Sequence, residues 1–203
     1  MKYVLSFFTA VFSFYACYSQ TTICPPKYKF ACNNEDYIGN VGLGLIQNQT
    51  ACPKTGNYEL YSATTTLSIG TINRLTVQVG KSAQTVAAYI DFDGDGAFET
   101  VGEFYNLGVI PSGTASGINI LVPEYAKSIV TLRIISTNAS ATLTYRSGDC
   151  NTVLDNGETE DYHLTITSKS NCLADIPPVI SGKSNTICQG ASQIIGSTYK
   201  GNY

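Results

Sequence analysis

The chain has 203 residues, with 12 Lys and Arg against 15 Asp and Glu and a formal net charge of −3. The basic residues are scattered and form no stripe, so the composition gives no support for nucleic-acid binding. Beyond the first 19 residues there is no continuous apolar run of membrane-spanning length, and the product is expected to be soluble or surface-attached.

The first 19 residues have the pattern of an export signal. Lys2 supplies a positive charge, the apolar run "YVLSFFTAVFSFYA" follows, and Ser19 provides a small residue at a cleavage point. Cleavage before Cys17 with lipid attachment is an alternative, although Phe14 and Tyr15 suit such a site poorly. Residues 1–19 are therefore predicted to be a signal peptide, and the protein to be secreted or placed at the cell surface.

Cysteine usage agrees with export. Six cysteines follow the predicted signal peptide, and they are Cys24, Cys32, Cys52, Cys150, Cys172 and Cys188. In an exported chain they are expected to form disulfides, but their spacing alone does not fix the pairing. A zinc site is not expected, because the chain has no CxxC and only one His.

Alternating apolar residues predict strands from about residue 37 to residue 167. "RLTVQV", "VTLRI" and "DYHLTI" each place every second residue on one apolar face, and Gly, Asn and Pro clusters separate the strands. The predicted fold is all-β: a two-sheet antiparallel β-sandwich of the jelly-roll or Ig-like kind, held by disulfides and without substantial helix.

The C-terminal region predicts a second unit. Residues 20–31 are interpreted as a lead-in, 32–168 as the sandwich, and 169–179, which contain Pro177-Pro178, as a linker. Residues 180–203 have the pattern of the first strands of another β-module, and so few residues cannot bury a core of their own. The second module is therefore expected to be incomplete.

The acidic residues are concentrated in two stretches, Asp91 to Glu103 and Asp149 to Asp161. These contain ten of the fifteen carboxylates and no Lys or Arg. Like charges this close repel, and burial would raise the cost. Either the carboxylates remain in water or a cation neutralises them.

The first stretch, "DFDGDGAFETVGE", has the front half of a calcium-binding loop. Asp91, Asp93 and Asp95 alternate before Gly96, and the carbonyl of Ala97 would be the backbone ligand. The back half departs from the EF-hand pattern: the twelfth position is Gly102, and the glutamates are Glu99 and Glu103. A calcium site with Glu103 as a further ligand is predicted; a solvated hairpin turn is the alternative.

The second stretch contains the run Gly157-Glu158-Thr159-Glu160-Asp161-Tyr162. This run resembles the signature of the GEVED domain, with Thr159 in place of the usual Val. "AYIDFDGDGAF" resembles that family's "WIDWNxDGxF", and "LRI" at 132–134 falls where members carry an arginine strand. "YIGNVGLGLIQNQT" and "GNYELYSATTTLSIG" resemble the family's first two blocks, so that the resemblance covers about residues 32–167.

The resemblance implies a β-sandwich module of secreted bacterial proteins. Such modules are found beside metallopeptidases and Ig-like or PKD-like repeats, which suggests that residues 180–203 begin a module of the latter kind. It also implies a disulfide between Cys32 and Cys150. Two roles are open for the acids of the signature: Glu160 is a candidate metal ligand, and Asp161 is expected to pair with Arg133.

The function expected from the sequence is non-catalytic. No GxSxG or HExxH motif is present, and His163 is expected on an outward strand face. The prediction is a calcium-stabilised accessory or adhesion module of a larger secreted or cell-surface bacterial protein, whose partner would be an extracellular polysaccharide or a surface protein. The alternative is a carbohydrate-binding module appended to a secreted hydrolase or metallopeptidase, for which several co-planar exposed Tyr residues among the 14 present would be needed.

Overall fold

The computed structural model describes residues 24–33, 35–98 and 101–169. The predicted signal peptide, Cys172, Cys188, Glu99 and the predicted second module lie outside the described residues. The chain divides between Ser168 and Lys169 into two units, and every element described below belongs to the first. In the described part of the chain, no helix has the length and apolar character that a membrane crossing requires.

The described residues form eleven strands and one 3₁₀ turn. The strands are β1 (Lys27–Tyr28), β2 (Ile38–Leu43), β3 (Ile46–Gln49), β4 (Tyr58–Ser68), β5 (Ile72–Val79), β6 (Gln84–Ile90), β7 (Phe104–Ile110), β8 (Ala115–Leu121), β9 (Ile129–Asn138), β10 (Val153–Leu154) and β11 (Glu158–Thr167). The 3₁₀ turn is Tyr145–Gly148. The all-β prediction is confirmed.

Two sheets form the sandwich. One has five strands in the order β4-β11-β9-β6-β7, and the other has four in the order β3-β2-β5-β8. Most neighbours are antiparallel, as predicted, but β11 runs parallel to β4, and the short β1 runs parallel to β10. The fold therefore differs from a purely antiparallel sandwich at the edge formed by β4 and β11.

The main core lies between the two sheets and follows the predicted alternation. In β5, Leu75, Val77 and Val79 are buried, while Thr76 and Gln78 between them are exposed. The same interior receives apolar side chains of β9 and β11, including Leu132 and Leu164. Burial of one face of each sheet fixes the register, because a slip of one residue would reverse the faces.

A second apolar cluster covers the outer face of the five-stranded sheet. It contains Ala87, Tyr89, Phe98, Ile135, Leu143 and Leu154, with Tyr28 and Phe104 packed against it. Because of this cover, all seven residues of β6 are buried, on both faces of the sheet. Arg133, on the outer face of β9, is therefore buried as well.

Strand β6 connects the two ends of the sandwich. At one end Gln84 pairs with Asn138, and at the other Ile90 pairs with Leu132. We call these the Asn138 end and the loop end, since the acidic loop begins at Asp91. Six strand steps separate the two ends of β6, which corresponds to ~20 Å.

Candidate metal centre

The acidic loop leaves β6 at Asp91 and is anchored by two buried aromatic residues. Phe92 is part of the core between the sheets, and Phe98 packs with Tyr89 in the outer cluster, at 5.2 Å between ring centroids. Phe98 thus anchors the loop to the outer cluster. The two anchors hold the intervening carboxylates at the loop end of the sandwich.

The structure brings three predicted ligands together. Asp91, Asp93 and Asp95 each present a carboxylate oxygen within 4.8 Å of the others. Asp91 is almost fully buried, whereas Asp93 and Asp95 are exposed. Within the described residues, no Lys or Arg forms an ion pair with these three carboxylates.

Backbone amides fix the orientation of these side chains. Asp91 accepts hydrogen bonds from the amides of Gly94 (Oδ1, 2.8 Å) and Gly96 (Oδ2, 3.2 Å). Both glycines have positive φ, 71° and 89°, which lets the backbone turn back towards the carboxylate. Asp95 in turn accepts from the amide of Ala97 at 2.8 Å.

The electrostatics of the loop disfavour three bare charges. Desolvation raises the pKa of Asp91 above its ordinary value, and the nearby charges of Asp93 and Asp95 raise it further. Hydrogen bonds from Gly94 and Gly96 act in the opposite direction. A bound cation would favour the ionised form of all three carboxylates.

The remaining predicted ligands of this loop have different positions. Glu103 is buried at the base of the loop, where its Oε1 accepts from the amides of Phe92 (2.7 Å) and Asp93 (3.4 Å). Its carboxylate is not grouped with the three aspartates. Ala97 lies in the loop, and its carbonyl remains a predicted ligand.

Glu160 is not part of this centre, and the prediction that it is a metal ligand is wrong. Glu160 of β11 pairs with Ile134 of β9, which in turn pairs with Ala88 of β6. Glu160 is therefore two strands away from β6, at the level of a residue three positions before Asp91. Its side chain is fully buried and accepts a hydrogen bond from the hydroxyl of Tyr162 at 2.6 Å. Strand geometry therefore separates Glu160 from the acidic loop.

Arg133 and Asp161 form the ion pair expected from the sequence. Arg133 Nε donates to Asp161 Oδ1 at 2.7 Å, and Nη2 donates to Oδ2 at 2.6 Å. Arg133 Nη1 also donates to the carbonyls of Cys24 and Gly148, at 2.9 and 2.5 Å. This buried guanidinium joins β9, β11, the N-terminal segment and the 3₁₀ turn.

The other residues of the signature have structural contacts too. Gly157 has a φ of 104°, and a Cβ there would lie 2.1 Å from the carbonyl oxygen of Ser136. The carboxylate of Glu158 accepts from the amide of Ile38 in the opposite sheet. The hydroxyl of Thr159 lies 2.8 Å from that of Tyr28, and Tyr162 is in the core between the sheets.

Glu158 and Glu160 were not recognised together as a buried acidic pair. Both side chains point into the sandwich and are fully buried from solvent. Each has one carboxylate oxygen without a hydrogen-bond partner among the described residues. Desolvation raises the pKa of Glu158 to about 9 and that of Glu160 to about 7. The alternation that places Tyr162 inward also places these two glutamates inward, and this signal could have identified them.

The predicted disulfide between Cys32 and Cys150 is wrong. Cys150 is bonded to Cys24, with Cα atoms 5.2 Å apart, and Cys32 is bonded to Cys52, with Cα atoms 5.6 Å apart. Pairing of β1 with β10 brings the N-terminal segment to the 3₁₀ turn, so Cys24 reaches Cys150 first. Cys32 instead lies beside the connection from β3 to β4.

Fold and contacts together define a disulfide-bonded β-sandwich module whose acidic signature residues are mainly structural. Comparison with protein families agrees: residues 85–165 match the sequence model of the GEVED domain. The match runs from β6 into β11 and includes both the acidic loop and the signature, which indicates an accessory module. No curated protein matches the chain.

Proposed function

We propose that the sandwich is a non-catalytic, calcium-stabilised accessory module of a larger secreted or cell-surface bacterial protein, with an adhesive or spacer role. The GEVED match supports the accessory class. Two disulfides in the described residues agree with an oxidising, extracellular environment. Calcium would be the resident ion, and its role would be to stabilise the fold.

The observation that carries the proposal is the convergence of Asp91, Asp93 and Asp95 within 4.8 Å without a paired base among the described residues. Hard carboxylate oxygens, with the carbonyl of Ala97 available as a further ligand, suit calcium. A basic side chain, Lys127, does approach the loop, since its Cγ would lie 3.2 Å from a Cβ at Gly94. Lys127 is thus the rival source of positive charge.

A non-catalytic role is supported by the positions of the acids. A glycosidase needs two carboxyl groups about 5 to 9.5 Å apart across an open cleft. Here Glu158 and Glu160 are closed inside the sandwich, and the three aspartates occupy a loop at its end. Neither group presents such a pair to a substrate.

The proposed ion is tested by thermal melts of residues 20–203 in 10 mM calcium and in chelator. Extracellular modules bind calcium with a Kd of about 0.1 to 1 mM, which gives about 1.4 to 2.7 kcal/mol of stabilisation by mass action. The expected rise in Tm is about 3 to 10 °C. Magnesium at the same concentration is expected to produce a smaller rise.

Two variants separate the ion from its rival. Asp95→Asn keeps an oxygen for the amide of Ala97 but removes one charge, so it is expected to lose most of the calcium-dependent rise. Lys127→Gln is expected to retain the rise, as is the control Glu35→Gln, an exposed acid outside the loop. The same melting temperature in calcium and in chelator for the unmodified chain would reject calcium stabilisation.

A further inference from the structure

A second candidate site lies at the Asn138 end of the sandwich, opposite the acidic loop. It is an open cleft of about 440 Å³, within the range of about 300 to 1,000 Å³ of small-molecule sites. Its lining residues are Lys29, Phe30, Asn33, Asn138, Asp155 and Asn156. The cleft thus combines one aromatic ring, three amides and an ion pair.

Phe30 combines a largely exposed aromatic ring with a backbone that is fixed by hydrogen bonds. Its side chain is 64 % exposed. Its backbone is nevertheless fixed on both sides: the amide of Phe30 donates to the carbonyl of Asp155 at 2.9 Å, and Asn57 Nδ2 donates to the carbonyl of Phe30 at 3.1 Å. An exposed apolar ring on a fixed backbone is a ready stacking surface, because a ligand would bury it without first ordering the backbone.

The polar edge of the cleft is built from an ion pair that balances its own charge. Lys29 Nζ lies 2.7 Å from Asp155 Oδ1, and about half of each side chain is exposed. Asn138 Nδ2 donates to the other oxygen, Oδ2, at 3.2 Å. The hydrogen bond from Lys29 lowers the pKa of Asp155, which therefore remains an ionised acceptor at neutral pH.

Two of the amides that line the cleft are held in place beforehand. Asn33 Nδ2 and Asn156 Nδ2 both donate to Asp36 Oδ2, at 2.9 and 2.7 Å. Asn33 follows Cys32, whose disulfide to Cys52 fixes this segment. Little side-chain entropy would therefore be lost on binding.

These features identify a class of ligand. An anion would meet the carboxylate of Asp155 and a cation would meet the ammonium of Lys29, so neither charge is favoured. A sugar ring has an apolar C–H face that can stack on an aromatic ring, and hydroxyls that both donate and accept. We propose that the cleft binds a neutral saccharide unit, with Phe30 under the ring and with Lys29, Asp155 and Asn156 bonding its hydroxyls.

The proposal is tested by affinity electrophoresis of residues 20–203 in native gels that contain a β-glucan, a xylan, a mannan or a galactan. Retardation by at least one of these neutral polysaccharides is expected. Phe30→Ala and Asp155→Ala are each expected to weaken it at least tenfold. Because Phe30 is exposed, its replacement should leave the melting temperature unchanged.

Tyr125→Ala is the matched control. Tyr125 is another exposed aromatic, at 56 %, and it lies at the loop end beside Gly102. The Tyr125→Ala variant is expected to be retarded by the polysaccharide as strongly as the unmodified chain. The proposal is overturned if none of the four polysaccharides retards the protein, if only an acidic polysaccharide such as polygalacturonate does, or if Phe30→Ala is retarded as strongly as the unmodified chain.

This site does not depend on the proposed calcium. The electrophoresis is repeated in chelator, where retardation is expected to persist because about 20 Å of strand separates the cleft from the acidic loop. A calcium-independent melting temperature together with retardation would reject the ion and retain the saccharide site. The reverse result would reject the saccharide site alone.

Discussion

Loss of the Arg133 guanidinium is expected to be among the most destabilising changes in the sandwich. In Arg133→Met, the carboxylate of Asp161, only 3 % exposed, would keep the hydroxyl of Tyr58 at 3.2 Å but lose both hydrogen bonds from the guanidinium. Breaking one side of a buried ion pair costs about 3 to 5 kcal/mol. For a domain of this size the Tm is expected to fall by about 6 to 20 °C.

A double-mutant cycle separates the pair from the rest of the site. Asp161→Leu alone removes the carboxylate that balances the guanidinium charge, whereas Arg133→Met with Asp161→Leu removes both charges. The double variant is therefore expected to lose less free energy of unfolding than the two single variants lose in sum. Urea denaturation of the four proteins measures these losses. Arg133→Lys serves as a control and should also be destabilised, since an ammonium cannot form the two parallel bonds to Asp161.

The reasoning is refuted if Arg133→Met lowers the free energy of unfolding by less than about 1 kcal/mol, the value of a surface pair. It is refuted equally if the two single losses add without coupling.

Two further predictions concern the signature. In chelator, the free energy of unfolding is expected to be highest near pH 4.5 and to fall as the pH rises to 9, because folding raises the pKa of Glu160 to about 7 and of Glu158 to about 9 from the ordinary value of 4.5. The free energy of unfolding should change by at most about 1.4 kcal/mol per pH unit for each group. Urea denaturation across this pH range should show the decrease, and Glu158→Gln should reduce it. A free energy of unfolding that does not change with pH would contradict the burial of both acids. Gly157→Ala is expected to destabilise by more than about 3 kcal/mol, since positive φ and a clash with Ser136 act together. Gly113→Ala, at a φ of 66° but with open space around it, should cost only about 1 kcal/mol, and equal losses in thermal melts would show that the close approach at Gly157 is unimportant.

The strand pattern could be predicted because burial of one face leaves a period of two in the sequence. β5 follows it along its length and β11 follows it from Tyr162 onward, whereas most of β9 and the start of β11 are buried on both faces. β6 does not, as both its faces are covered, and "QTVAAYI" has no polar face to reveal. The parallel contact of β11 with β4 also leaves no local signal, because it depends on how two distant strands meet.

The acidic loop was predictable because consecutive residues supply its ligands, and local geometry brings Asp91, Asp93 and Asp95 together. Glu160 was misplaced because clustering of charge in the sequence does not show which face of which strand a carboxylate occupies. The disulfides failed for a similar reason. Cys24 reaches Cys150 because β1 brings the N-terminal segment close, and this two-residue strand is too short to be detected by its periodicity.

The most direct test of the proposed function is a calorimetric titration of residues 20–203 with calcium, beside Asp91→Asn and Asp95→Asn. One binding event per chain is expected, with a Kd of about 0.1 to 1 mM, and both variants should weaken it strongly. Absence of a binding event, or the same binding in both variants as in the unmodified chain, would contradict a calcium centre in the acidic loop.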